Sequence, residues 1–345
     1  MTLFVSPVRT RIAVLFILLS IPMIVRSEEA LIAKTAVHVV VTVEARHGMD
    51  APTIARENVY VMQGRDRAEV LDWVPAQGDQ AGLELFILMD DSSDFSLASQ
   101  LEDLRMFIKG QPPTTLVAVG YMRNGTVETV AKFTTDHTAA AKAVRLPFGN
   151  NGGGASPYFS LQELIKEWPL NPARPRREVL MITDGIDRYN GGGPSNPYVD
   201  STVELAQRAG ILVYTIYTPG AGHYSHSSWR TNWGQNSLSQ LSDETGAEAY
   251  YLGFGAPVSF VPYLDNIAHR LRSQYLLTFA AKPEMKGNME VQGRSGRGKR
   301  RVGVCGSRFC SRITTTMKVA SQSNWYPGGP EHEPRESVEE GVSTR

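Results

Sequence analysis

The sequence predicts an α/β fold: a doubly wound, mostly parallel sheet with one antiparallel edge strand, preceded by a small β unit. Three observations predict it. Leu85-Phe86-Ile87-Leu88-Met89 is an unbroken apolar run, the pattern of a strand buried on both faces. From there to residue 280, strand-like and helix-like segments alternate, which implies parallel strands joined by helical crossovers. Asn124-Gly125 breaks the alternation once, as the two-residue turn of an antiparallel hairpin.

The elements follow in order. Residues 37–43 are Val-rich and loosely alternating, as a strand is. Residues 57–62 and 68–74 read as two more strands, joined by Gln63-Gly64-Arg65-Asp66, where glycine supplies the positive φ of a tight hairpin. These make a small β unit over 35–80, ending in the polar linker 77–80. The larger domain spans 81–282. After its first strand, Leu97, Leu101, Leu104 and Ile108 recur at helical spacing over 96–109, and Gly110 ends the helix. Strands at 115–122 and 126–133 flank the Asn124-Gly125 turn. Asp136 caps an alanine-rich helix. A glycine-rich loop, 149–154, opens a helix over 157–168. Then come a strand at 178–183, a helix at 201–209, a strand at 211–217, a helix at 238–244, a strand at 248–252, a helix at 258–271 and a last strand at 275–280.

Composition narrows the function. Of 345 residues, 35 are Lys or Arg and 35 are Asp or Glu, a formal net charge of zero. Nucleic-acid binding draws on a basic excess, so it is set aside. Arg9 and Arg11 precede an uncharged run, 12–25, that ends at Arg26-Ser27-Glu28. The run is shorter than the ~20 residues a spanning helix needs. Residues 1–27 therefore read as a cleaved secretory signal, with an uncleaved anchor as the alternative. This places the chain outside the cytoplasm, secreted, periplasmic or on the cell surface, with no membrane span after cleavage. The two cysteines, Cys305 and Cys310, do not make a disulfide scaffold. Residues 283–345 are Gly- and Arg-rich, then polar, and are expected as a disordered tail. A nucleic-acid or membrane-surface patch at 294–301 is the alternative there.

In an open parallel sheet, ligands sit beyond the carboxyl ends of the strands. Three segments deliver hard oxygen donors to that edge. Asp90-Asp91-Ser92-Ser93-Asp94 follows the first buried strand, Ser156 follows the glycine-rich loop, and Asp184-Gly185 follows the strand ending at Thr183. A few carboxylates and hydroxyls, with room for water, suit Mg²⁺ or Mn²⁺. The bland alternative is that Asp, Ser and Gly cap helices and turn loops at a sheet edge.

Strand, Asp-x-Ser, a distant hydroxyl and Thr-Asp-Gly in that order resemble the metal-ion-dependent adhesion site of von Willebrand factor A domains. The leader Glu57-Asn-Val-Tyr-Val-Met-Gln-Gly64 is similar to that of the bacterial VWFA-related proteins, as are Leu238-Ser-Gln-Leu-Ser-Asp-Glu-Thr-Gly246 and Leu271-Arg-Ser-Gln-Tyr-Leu-Leu-Thr-Phe279. The resemblance spans about 37–280. It implies that Asp90, Ser92, Ser156 and Asp184 hold a divalent cation, and that the cation's open position takes an acidic side chain of a protein partner. Two positions depart from the family. Ser156 stands where Thr is usual and keeps the hydroxyl. Asp94 stands where Ser is usual. It either adds a carboxylate near the metal, raising metal affinity and lowering the appetite for a partner's carboxylate, or caps the following helix.

Other classes fit less well. A haloacid-dehalogenase-like phosphatase needs a second Asp where Ser92 stands. A serine-hydrolase elbow needs Gly where Tyr158 stands. No phosphate-binding Gly-Lys-Ser/Thr loop and no His-Glu-x-x-His occurs. The expectation is a non-enzymatic, exported, adhesion-type binding protein, with a metal-free structural or assembly module of the same fold as the alternative and a hydrolase third. The segment 220–235 reads as an aromatic loop on the same edge, and Tyr224, Trp229 and Trp233 are candidate partner contacts. His223 and His226 there admit a transition-metal pair as an alternative. Gly191-Gly192-Gly193-Pro194 frames a flexible loop beside Asp184.

Overall fold

The structure is a computed structural model and describes residues 35–44, 53–63, 65–149, 156–169, 176–222, 227–281, 287–293 and 317–319. Its strands and helices run β1 (Thr35–Thr42), β2 (Val59–Gln63), β3 (Asp66–Pro75), β4 (Leu83–Asp90), α1 (Leu101–Lys109), β5 (Thr115–Arg123), β6 (Thr126–Thr134), α2 (His137–Lys142), α3 (Pro157–Lys166), β7 (Arg176–Thr183), α4 (Pro197–Ala209), β8 (Ile211–Tyr217), α5 (Ser228–Thr245), β9 (Ala249–Tyr250), α6 (Val261–Arg272), β10 (Gln274–Ala281), β11 (Gly287–Gly293) and β12 (Met317–Val319). The expected signal, 1–27, and both cysteines lie outside the described residues. Among the described residues, no helix is long and apolar enough to cross a membrane.

The functional sheet has the order β6-β5-β4-β7-β8-β9. All its pairings are parallel except β5 with β6, which the Asn124-Gly125 turn makes antiparallel. This is the doubly wound sheet with one antiparallel edge that the sequence predicts. Every residue of β4 is buried, because helices cover both faces. On one face Leu85, Ile87 and Met89 pack against Leu104 and Ile108 of α1 and Ile267 of α6. On the other, Phe86 and Leu88 pack against Leu161 of α3 and Val203 of α4. Burying each such aliphatic side chain contributes about 1.5–3 kcal/mol, enough to fix the strand ends in place.

The second sheet is antiparallel, ordered β1-β10-β3-β2-β11-β12. Here the structure corrects the expectation. The strand expected at 275–280 as the last of the parallel sheet instead crosses to this one, between β1 and β3. Leu277 and Phe279 are fully buried there against Val41, Val61 and Trp73, and Trp73 stacks on Tyr275 at 4.4 Å. The N-terminal β unit is therefore not an independent module over 35–80. The expected disordered tail also yields two strands, with β11 paired to β2 and β12 to β11; the remainder of 282–345 lies outside the described residues.

Arg176 joins the two sheets. Its guanidinium donates to Leu271 O at 2.9 Å, Gln274 Oε1 at 2.8 Å and Ala81 O at 2.6 Å. Nearby, Arg270 pairs with Glu44 and Glu248. The crossover from α6 to β10 is thus held by buried, charge-assisted hydrogen bonds.

Two helices differ from expectation at their starts. Residues 95–100 wind as a tighter 3-10 turn before α1 begins. The helix expected at 238–244 begins ten residues earlier, so Trp229 and Trp233 stand on α5 and not in a loop. Its inward face is Thr231, Gly234, Gln235, Leu238, Leu241, Ser242 and Thr245. Small and polar residues dominate that face, which hides the helical period from a search for apolar spacing.

Candidate functional site

The site lies where β4 and β7, adjacent in the sheet, release their chains. Asp90 closes β4 and Asp184 follows β7 directly. Asp90 is held on both oxygens. Oδ1 accepts from Ser92 N at 2.9 Å and Ser92 Oγ at 2.7 Å, and Oδ2 accepts from Thr183 Oγ1 at 2.6 Å. Asp184 Oδ1 accepts from Ile186 N at 2.9 Å. Burial pushes the Asp184 carboxyl up from the ordinary aspartate range, the nearby Asp90 charge adds to this, and Arg188 opposes it. Ser156 caps α3, accepting from Phe159 N at 3.4 Å, and its hydroxyl adjoins the carboxylate of Asp187. Asp90, Ser92, Ser156, Asp184 and Asp187 are all buried.

The surroundings are fitted closely to these groups. Gly185 has φ +69°, and a Cβ there would meet Gly234 O and Leu238 Cγ at 2.7 Å. A side chain is excluded on both counts, so the glycine after Asp184 lets α5 lie directly against the site. The loop after β8 forms the other wall. Asp94 N donates to Pro219 O at 2.9 Å and Ala221 N to Ser92 O at 2.8 Å.

Asp94 does not join the cluster. Its side chain accepts from Ser96 N at 2.8 Å and caps the 95–100 turn, the second of the two expectations for this residue. Asp91 points elsewhere as well, onto Arg145. Tyr224, His223 and His226 lie outside the described residues, as does the glycine-rich stretch 150–155. Trp229 is 71% exposed and Trp233 is half-buried.

Two residues that the sequence reading missed shape the site. Arg188 puts Nη2 on Asp184 Oδ2 at 2.5 Å and Nη1 on Oδ1 at 3.3 Å. Asp187 accepts from Tyr189 N at 3.1 Å and Asn190 N at 3.4 Å through Oδ1. Its Oδ2 is buried without a well-formed hydrogen bond. An Asp followed four residues later by Arg was visible in the sequence, but in a loop that spacing carries no facing rule.

The donors are hard oxygens, the chemistry that suits a small dication. Asp90, Asp184 and Asp187 are three buried carboxylates, and Arg188 offsets one of their charges. The Asp187 carboxylate, beside the Ser156 hydroxyl, adds a further buried negative charge next to the site. Among the described residues, no group of three or more His, Cys, Asp or Glu meets ligand geometry. The donor set is instead two carboxylates and two hydroxyls, with a third carboxylate behind Ser156.

The same edge exposes apolar side chains. Phe95, Leu146, Phe148, Tyr189 and Trp229 are exposed, and each lies on a segment at this edge of the sheet. Neighbouring loops touch: a Cβ on Gly149 would lie 3.2 Å from the Phe95 ring. Tyr189 packs on Phe159 at 5.0 Å and Tyr198 at 6.0 Å between ring centres.

No family model and no curated relative matches the chain. Solved structures with similarity include the conserved hypothetical protein BatB from Bacteroides thetaiotaomicron, at 14% identity and TM-score 0.40, covering 55% of this chain and 97% of that one. An aerotolerance-related membrane protein from Bacteroides fragilis gives 14% identity and TM-score 0.39 over 55% of this chain and 98% of that one. The VWA domain of SpRpn10 gives 12% identity and TM-score 0.35 over 53% and 94%. These superpositions are loose. The fold type stands on strand order, the antiparallel edge and the placement of Asp90 and Asp184 at the ends of adjacent strands.

Proposed function

We propose that this chain, whose central domain is of the von Willebrand factor A type, is an exported, non-enzymatic binding protein that engages a protein partner at the carboxyl edge of its parallel sheet. A divalent cation, Mg²⁺ or Mn²⁺, is held there by Asp90, Ser92, Ser156 and Asp184. The observation that carries the reading is the gathering of these four buried donors at a sheet edge that also exposes apolar side chains. Scattered apolar side chains on a surface mean little, but several gathered at one sheet edge beside buried charged groups mark a candidate interaction surface.

When bound, the cation supplies a positive pole that accepts a carboxylate oxygen of the partner. The chain's own residues do the rest. Thr183 and the Ser92 backbone N–H fix the Asp90 carboxylate, so it is preorganised before any ion arrives. Ser156 is fixed by its capping position at the start of α3. Phe95, Phe148, Tyr189 and Trp229 give the partner an apolar seat. Export rests on the basic start and apolar run within residues 1–27, and protein recovered from its native host then begins near Glu28.

A ligand that binds only the folded state raises the melting temperature by mass action. Mg²⁺ and Mn²⁺ are expected to raise it in the wild-type protein and to leave Asp184→Ala unmoved, by calorimetry and thermal melts in EDTA-treated samples. A flat response of the wild type up to millimolar metal would sink the metal site and leave the metal-free assembly module as the reading.

A further inference from the structure

We infer that Arg188 is a built-in cation that closes the site in the absence of metal, and that metal binding and the departure of Arg188 from Asp184 are one event. The inference rests on reading the cluster as a cation site and adds its regulation.

The argument starts from what Asp184 has left to give. Its Oδ1 accepts from Ile186 N at 2.9 Å and from Arg188 Nη1 at 3.3 Å, and its Oδ2 from Arg188 Nη2 at 2.5 Å. Both oxygens face the guanidinium. A dication bound to the same carboxylate would stand a few ångströms from a fixed positive charge, in a place largely shielded from water. Like charges at that range repel strongly where the effective dielectric constant is low. The two cations therefore exclude each other, and the free energy of one is set against that of the other.

The pair is built into the fold. The side chains of Asp184 and Arg188 are 5% and 10% exposed. They lie against bare backbone at Gly220, where a Cβ would come within 2.3 Å of Asp184 Oδ2 and 2.5 Å of Arg188 Nη2. No side chain fits there without splitting the pair. Gly220 is itself bridged to Ser93, in the loop that carries Ser92. The guanidinium thus sits between Asp184 and the loop after β8, which is itself bridged to the loop that carries Ser92.

The means of release is also present. Arg188 opens a turn closed by Gly191 N on Arg188 O at 3.2 Å and Gly192 N on Asp187 O at 2.9 Å. Gly191 and Gly192 hold φ of +77° and +64°, with open space around the Gly191 Cα. The side chain can swing outward about its own torsions while this turn keeps Asp187 in place. Once outside, its positive charge lies on the face that meets the partner, among Tyr189 and its aromatic neighbours. Metal loading would then both fill the site and present a guanidinium to an acidic partner surface.

Two measurements test this. Mn²⁺ titrations of the wild type and of Arg188→Gln, followed by calorimetry and by electron paramagnetic resonance of free Mn²⁺, compare the site with and without its internal cation. We expect Arg188→Gln to bind Mn²⁺ at least tenfold more tightly, and to melt lower than the wild type when metal-free. Binding by Arg188→Gln alone would equally support the inference. Equal affinity in both proteins would overturn it while leaving the metal reading intact, and no Mn²⁺ bound to either would overturn both. The second measurement needs no variant. Phenylglyoxal labelling of wild-type Arg188, mapped by mass spectrometry, is expected to be slow without metal and several-fold faster at saturating Mn²⁺. Labelling at Arg188 that is unchanged or slowed by metal overturns the proposal.

Discussion

Arg145 holds Asp91 through two parallel hydrogen bonds, Nη1 to Oδ1 at 2.7 Å and Nη2 to Oδ2 at 3.1 Å, while its guanidinium lies 3.7 Å from the Tyr121 ring centre and 4.0 Å from that of Phe148. Asp91 is the immediate neighbour of the proposed ligand Asp90. Phe148 N donates to Asp91 Oδ1 at 3.1 Å and Gly149 N to Asp91 O at 3.0 Å. One ion pair therefore ties the strand end bearing Asp90 to the loop that leads towards Ser156.

Arg145→Ala should destabilise the fold by ~2–4 kcal/mol, because it leaves Asp91 buried without its partner charge. The lower part of that interval is expected, since Arg145 is itself 29% exposed by side chain. The double variant Asp91→Ala/Arg145→Ala should lose less than the sum of the single losses. Urea denaturation of the three variants checks this, and additive losses would show that the two residues act separately.

Asp94→Ser should leave Mn²⁺ affinity within about twofold of the wild type. The carboxylate caps the 95–100 turn, and Ser caps about as well as Asp. A drop in affinity large enough to rival that of Asp184→Ala would put Asp94 among the ligands after all.

Glu178 on β7 is fully buried, and burial pushes its carboxyl up to about 7, against the opposing charge of Arg176. The folded state keeps this proton at pH values where the unfolded chain, with an ordinary value of 4.5, has released it. Stability should therefore fall as pH rises from about 4.5 to about 7 and level off above, a loss of about 3 kcal/mol from this one group. Glu178→Gln removes that slope, so its advantage over the wild type should grow across the same window. Chemical denaturation at pH 5 and pH 8 reads the difference; an equal gap at both values would rule the explanation out.

Much of this was legible beforehand, for local reasons. An apolar run such as Leu85 to Met89 is typical of a strand covered on both faces, and alternation with helices then indicates which edge carries Asp90, Ser92, Ser156 and Asp184. The rest depends on pairings that local sequence patterns do not encode. Nothing in residues 275–280 says which sheet β10 joins, because strand signals describe one chain and pairing needs two. The ion pairs of Arg145 and Arg188 sit in loops, where no periodicity says which side chains meet. The first ten residues of α5 face inward with Thr231, Gly234 and Gln235, and packing there is by smallness rather than by hydrophobicity.

That packing yields the sharpest stability test. Gly234 lies in the interior of α5, where alanine is favoured over glycine by about 1 kcal/mol on backbone grounds. At this position the contact decides otherwise. A Cβ on Gly234 would stand 2.0 Å from Asp184 O and 3.2 Å from Ile186 Cδ1. The obstructing atom is backbone, in the segment whose side chain is the proposed ligand, so relief requires moving either α5 or Asp184. Overpacking of this kind costs about 1–3 kcal/mol and occasionally more, which outweighs the helical gain. Gly234→Ala should therefore lower the melting temperature and weaken Mn²⁺ binding together. Asn232→Ala, at an exposed position of the same helix, receives the propensity gain without the clash and should raise the melting temperature slightly, leaving metal affinity unchanged. Thermal melts and Mn²⁺ titrations of both variants separate the effects. A stabilised Gly234→Ala with wild-type metal affinity would show that α5 does not press on Asp184 and would detach the helix from the site.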